Sequence, residues 1–287
     1  MNLAYTMQNF QDWFTQQWAI LWGRKFNPEE YPWLIGPFGE LDGIGEEFIQ
    51  QLATKENLEI IRNRPSKGLL SSILSLNLKN DEMSTLSPNV INFYEKTSNY
   101  NLELDIKWNP IFKFFGFLVN RLFSQRINQL NIPLNNNHHE KLSSEIIELL
   151  DKNTDEVKYT LWLRKFVKTG QVIYSGIYGT CQLPNNQTCI KAVFPLPKGN
   201  ATVIMKPSVG KNNELILDSS GKKFGDAGFY FLLNDSKNNF WAQFIATFKD
   251  KLVIREENNH LIATQTLRLW KLKVSEFNYN ISLKSSV

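Results

Sequence analysis

The chain has 287 residues, of which 42% are hydrophobic and 21% are charged, and its net charge is +4. This composition excludes disordered and fibrous proteins, and the small charge argues against a nucleic-acid-binding protein, for which a concentrated basic surface is expected. Aromatic residues are numerous, with 20 Phe, 8 Trp and 9 Tyr, and they must fill a core, line an apolar cavity or lie at an interface.

Targeting signals are not evident in the sequence. It contains no run of 18 apolar residues, which argues against a transmembrane helix. The first residues, "MNLAYTMQNFQDWF", lack the basic and continuous apolar regions of a signal peptide. We therefore predict a cytoplasmic protein.

The first 134 residues are predicted to be mainly helical. Apolar residues at helical spacing in "FQDWFTQQWAILWGRKF" predict a helix with an aromatic face that ends near Gly23, and a short helix is expected over 46–54. "SPNVINFYEKT" predicts a helix with Ser87 as its N-cap, and the spacing in "NPIFKFFGFLVNRLFSQRINQL" predicts a helix that Pro133 ends. Between these two, "YNLELDIKW" alternates with period two and predicts a strand over 100–108.

Residues 140–284 are predicted to form a large antiparallel sheet. About ten short runs rich in β-branched and aromatic residues are separated by turn signals such as "LPNNQ" and "EENNH", without helix-length connections. The exception is "NNFWAQFIATFKDK", whose apolar spacing predicts a helix.

The predicted fold class is α+β, with an amino-terminal helical layer packed on a barrel or strongly curved sheet of about ten strands. The strand over 100–108 is expected to join this sheet, which would make residues 1–134 and 140–284 one structural domain. In architecture alone, such a barrel resembles small-molecule-binding barrels such as the lipocalins, although the sequence carries no lipocalin signature.

Two turn-like segments carry candidate ligand-binding residues. In "FGDAGFYF", Asp226 lies between Gly225 and Gly228, where a ligand could approach the backbone, and the same pattern fits a hairpin turn that the aspartate caps. In "FPLPKGN", Lys198 would point a positive charge outward beside free backbone amides, as a cradle for an anionic group requires. A strand-ending corner also explains that segment, and we favour the capped turn and the corner over ligand binding.

His260 and Arg268 share one face of "HLIATQTLRLW" if this strand alternates ideally. An inward orientation would make them part of a polar stripe that could bind a ligand carboxylate or carbonyl. The opposite face carries Leu261, Ala263 and Leu267, and we favour this apolar face as the inward one.

Tyr174 and Tyr178 share a face of "QVIYSGIYGTC" with Gly176. A glycine within a strand indicates a bend or a close approach of the backbone, as occurs where a barrel curves. The two tyrosines would then either stack on a ligand or pack in the core.

Cysteines, histidines and sequence motifs suggest neither a metal site nor a cofactor. Cys181 and Cys189 flank the turn "LPNNQ", and in a reducing compartment we expect two buried free thiols rather than a disulfide. His138 and His139 are adjacent, so on an extended chain their side chains point to opposite sides. No nucleophile elbow, P-loop, dinucleotide-binding or zinc-protease motif is present, so no catalytic residue is assigned and no cofactor is expected.

Three functional hypotheses follow from these features. The first is the binding of an apolar small molecule or lipid inside the sheet, since a large sheet lined with aromatic residues tends to enclose a cavity. The second is an enzyme that acts on such a ligand with Asp226, His260 and Arg268 near the mouth of the barrel. The third is a membrane-surface or protein-interaction module that uses aromatic helices such as the first one, where Trp18 and Trp22 precede basic residues.

Overall fold

A computed structural model describes residues 10–40, 46–112 and 140–284 of the chain. The helices within these ranges are α1 (Phe10–Trp22), α2 (Glu46–Lys55), α3 (Asn80–Thr85) and α4 (Pro88–Glu95). The strands are β1 (Arg24–Phe26), β2 (Leu58–Arg62), β3 (Tyr100–Trp108), β4 (Glu140–Asp151), β5 (Val157–Phe166), β6 (Val172–Gln182), β7 (Thr188–Leu196), β8 (Gly199–Val209), β9 (Leu215–Asp218), β10 (Phe229–Asn234), β11 (Phe240–Phe244), β12 (Phe248–Glu257), β13 (His260–Leu269) and β14 (Leu272–Leu283).

Ten of these strands form a closed antiparallel barrel. Their order around the ring is β8, β7, β6, β5, β4, β3, β14, β13, β12 and β9, and β9 closes the ring by pairing with β8. The predicted barrel of about ten strands is therefore confirmed. The strand over 100–108 is also confirmed, because β3 lies in the ring between β14 and β4.

The remaining strands extend the sheet outside the ring. The first half of β8 pairs with β10 over residues 199–203, and β11 and β1 continue the sheet beyond β10. On the other side, β2 pairs with the second half of β4. Residues 24–108 therefore contribute three strands to the same sheet as residues 140–284.

The helices contact different parts of this sheet, so the predicted helical layer holds only in part. Helix α1 contacts β10 and β11, whereas α2 contacts β2. Apolar residues of α2 pack with Leu161 and Leu163 on the outer side of the barrel. Helix α4 joins the main core through Val90, Phe93 and Tyr94.

The helix predicted over 238–251 is wrong, because this segment forms β11 and the start of β12. Asp235 sets up the hairpin that precedes β11, since its Oδ1 atom accepts hydrogen bonds from the backbone N–H groups of Lys237 (2.8 Å) and Asn239 (2.9 Å). Asn238 has a left-handed backbone (φ 58°), as tight hairpin turns require. Pairing of β11 with β10 and β1 then overrides the helical spacing of its apolar residues.

The helix predicted to end at Pro133 lies almost entirely outside the described residues, and only its start over 110–112 is seen to be helical. His138 and His139 also lie outside the described residues.

Candidate functional site

The barrel encloses a cavity of about 330 Å³. This volume lies at the lower end of the range found for small-molecule sites, roughly 300–1,000 Å³. Its wall is formed by inward-facing side chains of the ring strands, which are mostly aliphatic and include Leu102, Ile190, Val203, Met205, Leu217 and Ile254. Among the described residues that line it, only Arg164 and Asp250 are charged.

The two ends of the cavity differ. At one end Leu69, Leu70 and two residues of α4, Phe93 and Tyr94, lie over the barrel and are buried. At the other end three partly exposed phenylalanines pack edge to face: Phe229 lies 5.0 Å from both Phe231 and Phe248 between ring centroids. Among the described residues, α4 therefore covers one end of the cavity, and a group of partly exposed aromatic rings lies at the other.

Arg164 is held rigidly in the cavity wall. Its side chain projects from β5 between two aromatic rings, with its Cζ atom 4.1 Å from the ring centroid of Trp162 and 4.5 Å from that of Tyr174. The indole of Trp162 is itself fixed by donating a hydrogen bond to Ser144 Oγ (2.9 Å). Arg164 Nη2 donates to Tyr178 Oη (3.2 Å), so both the plane and the direction of the guanidinium are set.

The charge of Arg164 is buried without a counter-ion. The residue is only 6% exposed, and no carboxylate of the described residues forms an ion pair with it. Its Nε atom is buried and has no hydrogen-bond partner. Burial acts to lower the pKa of Arg164, but three neighbouring tyrosines outweigh it and the pKa is raised, so the side chain remains a cation.

Tyrosine hydroxyls surround this cation. Burial raises the pKa values of Tyr174 and Tyr178, and raises that of Tyr279 to about 12, so all three phenols are neutral at physiological pH. The Tyr279 hydroxyl lies within the electrostatic influence of Arg164 without meeting hydrogen-bond geometry, and it is buried without a partner. The cavity therefore contains a fixed cation beside neutral hydroxyl donors.

Asp250 is the second charged residue of the cavity. Its Oδ2 atom accepts a hydrogen bond from Gln265 Nε2 (2.6 Å), whereas its Oδ1 atom is buried without a partner. Burial is the main cause that raises the pKa of Asp250 to about 7. The hydrogen bond from Gln265 acts against this shift, and the neighbouring carboxylate of Asp218 adds to it. Asp250 is therefore a mixture of charged and neutral forms at neutral pH.

Strand alternation explains why these two residues face inward. On β5, Leu161 and Leu163 pack outward against α2, which turns Trp162 and Arg164 towards the barrel interior. On β12 the inward positions are Phe248, Asp250, Leu252 and Ile254. Arg164 and Asp250 therefore each lie on an inward strand face whose other residues are apolar.

The structure brings two of the six predicted ligand-binding residues into the cavity. Tyr174 and Tyr178 line it next to Arg164, and both are close to the ring of Phe194 (5.9 and 6.3 Å between centroids). Gly176 lies between them on β6, where its lack of a side chain makes room for Phe194. A role for the two tyrosines in ligand binding stays a prediction.

Lys198 and Asp226 lie outside the cavity, in the turns that we favoured. Lys198 has a left-handed backbone (φ 54°) in the two-residue turn between β7 and β8, and its ammonium group forms an ion pair with Glu40. Asp226 caps its own loop, because its Oδ2 atom accepts hydrogen bonds from the backbone N–H groups of Lys222 (2.9 Å) and Lys223 (3.1 Å). Both residues have local structural partners.

His260 and Arg268 also lie outside the cavity, on the exposed face of β13. The favoured orientation of this strand is confirmed, since Ala263 and Leu267 line the cavity. His260 and Arg268 lie near opposite ends of the strand, about 25 Å apart at the usual rise per residue. The catalytic cluster of Asp226, His260 and Arg268 considered above is therefore not formed.

The two cysteines are direct cross-strand neighbours on β6 and β7, and both are buried and free, as predicted. Burial raises the pKa of Cys181 to about 11 and that of Cys189 to about 12. Neither residue lines the cavity, so both belong to the structural core rather than to the candidate site.

Four polar residues of the cavity were not predicted from the sequence: Arg164, Asp250, Gln265 and Tyr279. For three of them, the sequence pattern of the strand indicated an inward position. Arg164 interrupts a strand whose other central residues are apolar on both faces, and Gln265 stands in phase with Leu261, Ala263 and Leu267. Asp250 alternates with Phe248 and Leu252 on one strand face, but this alternation was not used because a helix was predicted over this segment.

The chain is similar to a bacterial protein over most of its length. The chain is 26% identical over 267 residues to the "Uncharacterized membrane protein YndJ" of Bacillus subtilis (strain 168). The alignment covers 92% of this chain and 46% of that protein, so the chain spans about half the length of the curated relative it matches. No family model matches the chain. No solved structure matches it either.

This comparison corrects the predicted location. A relative that aligns with 92% of the chain is named a membrane protein, which contradicts a cytoplasmic location. The prediction used features of this chain alone, whereas the relative is about twice as long. Within the residues that the structure describes, no helix combines the length and the apolar character needed to cross a bilayer.

Proposed function

We propose that the protein binds an apolar small molecule or lipid inside its barrel. The observation that carries this proposal is the cavity of about 330 Å³ with a largely apolar wall. Removing apolar ligand surface from water in such a cavity contributes roughly 25 cal/mol per Å². The few polar groups of the wall would fix the orientation of the ligand, as they do in small-molecule sites generally.

The aromatic end of the barrel, as far as the described residues show it, supports this proposal. Phe229, Phe231 and Phe248 line the cavity there and remain partly exposed, so a ligand would pass rings that can rotate without breaking backbone pairing. The opposite end is covered by α4 and by Leu69 and Leu70. From the described residues, we infer an entrance at the phenylalanine end.

Native mass spectrometry of gently purified protein, with extraction and identification of bound molecules, tests the proposal. We expect a stoichiometric apolar passenger or, after its removal, one-to-one binding of an added apolar ligand. Ala263→Phe, at a buried position of the cavity wall, should abolish binding, whereas Ala246→Phe, at an exposed position, should not. A protein that carries no passenger and binds no member of a lipid panel would refute the proposal.

A membrane-surface contact is a second candidate function. Helix α1 ends with two strongly exposed apolar residues, Leu21 (76%) and Trp22 (70%), and exposed Arg24 and Lys25 follow directly. Exposed apolar residues beside basic ones favour contact with an anionic membrane surface. The name of the relative, a membrane protein, is consistent with this candidate.

Sedimentation with anionic vesicles at low and physiological salt tests the second candidate. Trp22→Glu should reduce the sedimented fraction severalfold if α1 makes the contact. Val167→Glu, which places a charge at another exposed apolar position, is the matched control. No sedimentation of the unmodified protein at low salt would rule out a membrane contact through α1.

A further inference from the structure

We propose that the cavity selects apolar ligands that carry one anionic head group, of which a carboxylate is the simplest case, and that Arg164 binds this group. The inference rests on the proposed function and specifies its ligand class. It depends on three features of the described residues. These are the charge of Arg164 without an ion-pair partner, the fixed orientation of its guanidinium, and the buried hydroxyl of Tyr279 beside it.

The first feature is the uncompensated charge. Arg164 is 6% exposed and lines the cavity, yet it forms no ion pair with a carboxylate of the described residues. A buried cation without a partner is strongly unfavourable, and removing one partner of a buried pair is among the costliest changes in a protein core. An anionic ligand would supply the missing counter-charge.

Asp250, the other charged residue of the wall, does not serve as this counter-ion. One of its oxygens is bound to Gln265 (2.6 Å), and the other has no partner. The guanidinium is instead bonded to Tyr178 (3.2 Å) and has its Nε atom unpaired. The cation therefore keeps an unused N–H donor in the wall of the cavity.

The second feature is preorganisation. The rings of Trp162 and Tyr174 lie 4.1 and 4.5 Å from the Cζ atom, and stacking of this kind restricts the guanidinium to one plane. Binding then costs little ordering of the side chain. A planar donor fork matches the two oxygens of a carboxylate, so geometry as well as charge favours this head group.

The third feature is a second donor beside the cation. The Tyr279 hydroxyl is buried and neutral, and it lies close to Arg164 without meeting hydrogen-bond geometry. Tyr178 accepts from Arg164 and retains its own O–H proton as a donor. A carboxylate next to Arg164 would satisfy these groups together, whereas an alcohol would leave the cation unneutralised.

The number of charges distinguishes ligand classes. A single negative charge neutralises Arg164, but a dianionic phosphate would bury an excess negative charge in the same apolar cavity. Asp250, when ionised, adds to this repulsion. We therefore expect a monoanionic carboxylate amphiphile to bind better than an alkyl phosphate of equal chain length.

Isothermal titration of ligand-free protein at pH 7.5 with decanoate, 1-decanol and decyl phosphate tests the inference. We expect decanoate to bind at least about tenfold more tightly than 1-decanol, since a charge-assisted hydrogen bond contributes roughly that factor or more. Arg164→Gln should lower decanoate affinity at least about tenfold and leave 1-decanol affinity within about threefold. Arg268→Gln, which changes an exposed arginine on β13, should alter neither.

Tyr279→Phe provides a milder variant if Arg164→Gln does not fold. It removes only an unpartnered hydroxyl and should weaken decanoate several-fold with little effect on 1-decanol. Equal affinities of the unmodified protein for decanoate and 1-decanol would overturn the inference and leave the proposed function intact. Binding of none of the three ligands would overturn both. Tighter binding of decyl phosphate than of decanoate would overturn the preference for one charge.

Discussion

Asp250→Asn is expected to stabilise the protein at pH 8 and to change its stability little at pH 4. The side chain is 6% exposed, and burial raises its pKa from 3.8 to about 7. Asparagine has nearly the same shape, carries no charge and retains an oxygen that can accept the hydrogen bond from Gln265. The substitution therefore removes the cost of a buried charge without removing the contact.

The size of the effect follows from the two pKa values. The folded protein binds the Asp250 proton more tightly than the unfolded chain does, so between about pH 4 and pH 7 it holds more protons. Its free energy of unfolding must then fall as the pH rises through this window. A difference of about three pKa units, at about 1.4 kcal/mol each, corresponds to a loss of ~4 kcal/mol from this group by pH 8.

Urea unfolding at half-unit steps between pH 4 and pH 8 measures this dependence. The free energy of unfolding of Asp250→Asn minus that of the unmodified protein should grow from below ~1 kcal/mol at pH 4 to several kcal/mol at pH 8. Asp155→Asn, at an exposed turn position with a left-handed backbone, is the control for the loss of one carboxylate. A difference for Asp250→Asn that does not change with pH would refute a raised pKa at this site.

Three further predictions concern the packing around the cavity and the thiols. Gly176→Val should destabilise the protein by ~1–3 kcal/mol, because a Cβ atom there would lie 2.7 Å from Cε1 of Phe194. An unchanged midpoint of urea unfolding would contradict this packing. Phe93→Ala should cost ~3–5 kcal/mol by opening a space where α4 closes the barrel, and a loss below ~1 kcal/mol in the same assay would show that α4 does not close it. Burial raises the pKa of Cys181 to about 11 and that of Cys189 to about 12. Alkylation of these thiols by iodoacetamide at pH 8 should therefore be roughly a hundredfold slower in folded protein than in urea. Equal rates would disprove the burial of these thiols.

The strands could be predicted where local pattern and tertiary pairing agree. In β3, period-two alternation coincides with burial of Leu102, Leu104 and Ile106, so the prediction over 100–108 matches the structure. In β11 the two disagree, because the spacing of its aromatic residues fits a helix, whereas pairing with β10 and β1 fixes an extended chain. Pairing between distant segments is not encoded in local periodicity, which explains this error.

The candidate site was predicted only in part for a similar reason. Tyr174 and Tyr178 were identified because two glycines mark their strand as curved. Arg164 was not identified, because arginine side chains are usually exposed. Only the packing of α2 against the outer face of β5 turns the Arg164 side chain inward. That no carboxylate of the described residues pairs with it is visible only once the opposite wall of the barrel is in place.

The sequence by itself determined the class of the fold and the faces of most strands, since alternation and turn residues act over a few neighbouring positions. Pairing of β3 with β14, the covering of one end by α4 and the meeting of Arg164 with Tyr279 were decided by the tertiary structure alone. These features join residues more than a hundred positions apart or depend on curvature and side-chain volume. No local pattern records them, because they arise only when distant strands meet in one curved sheet.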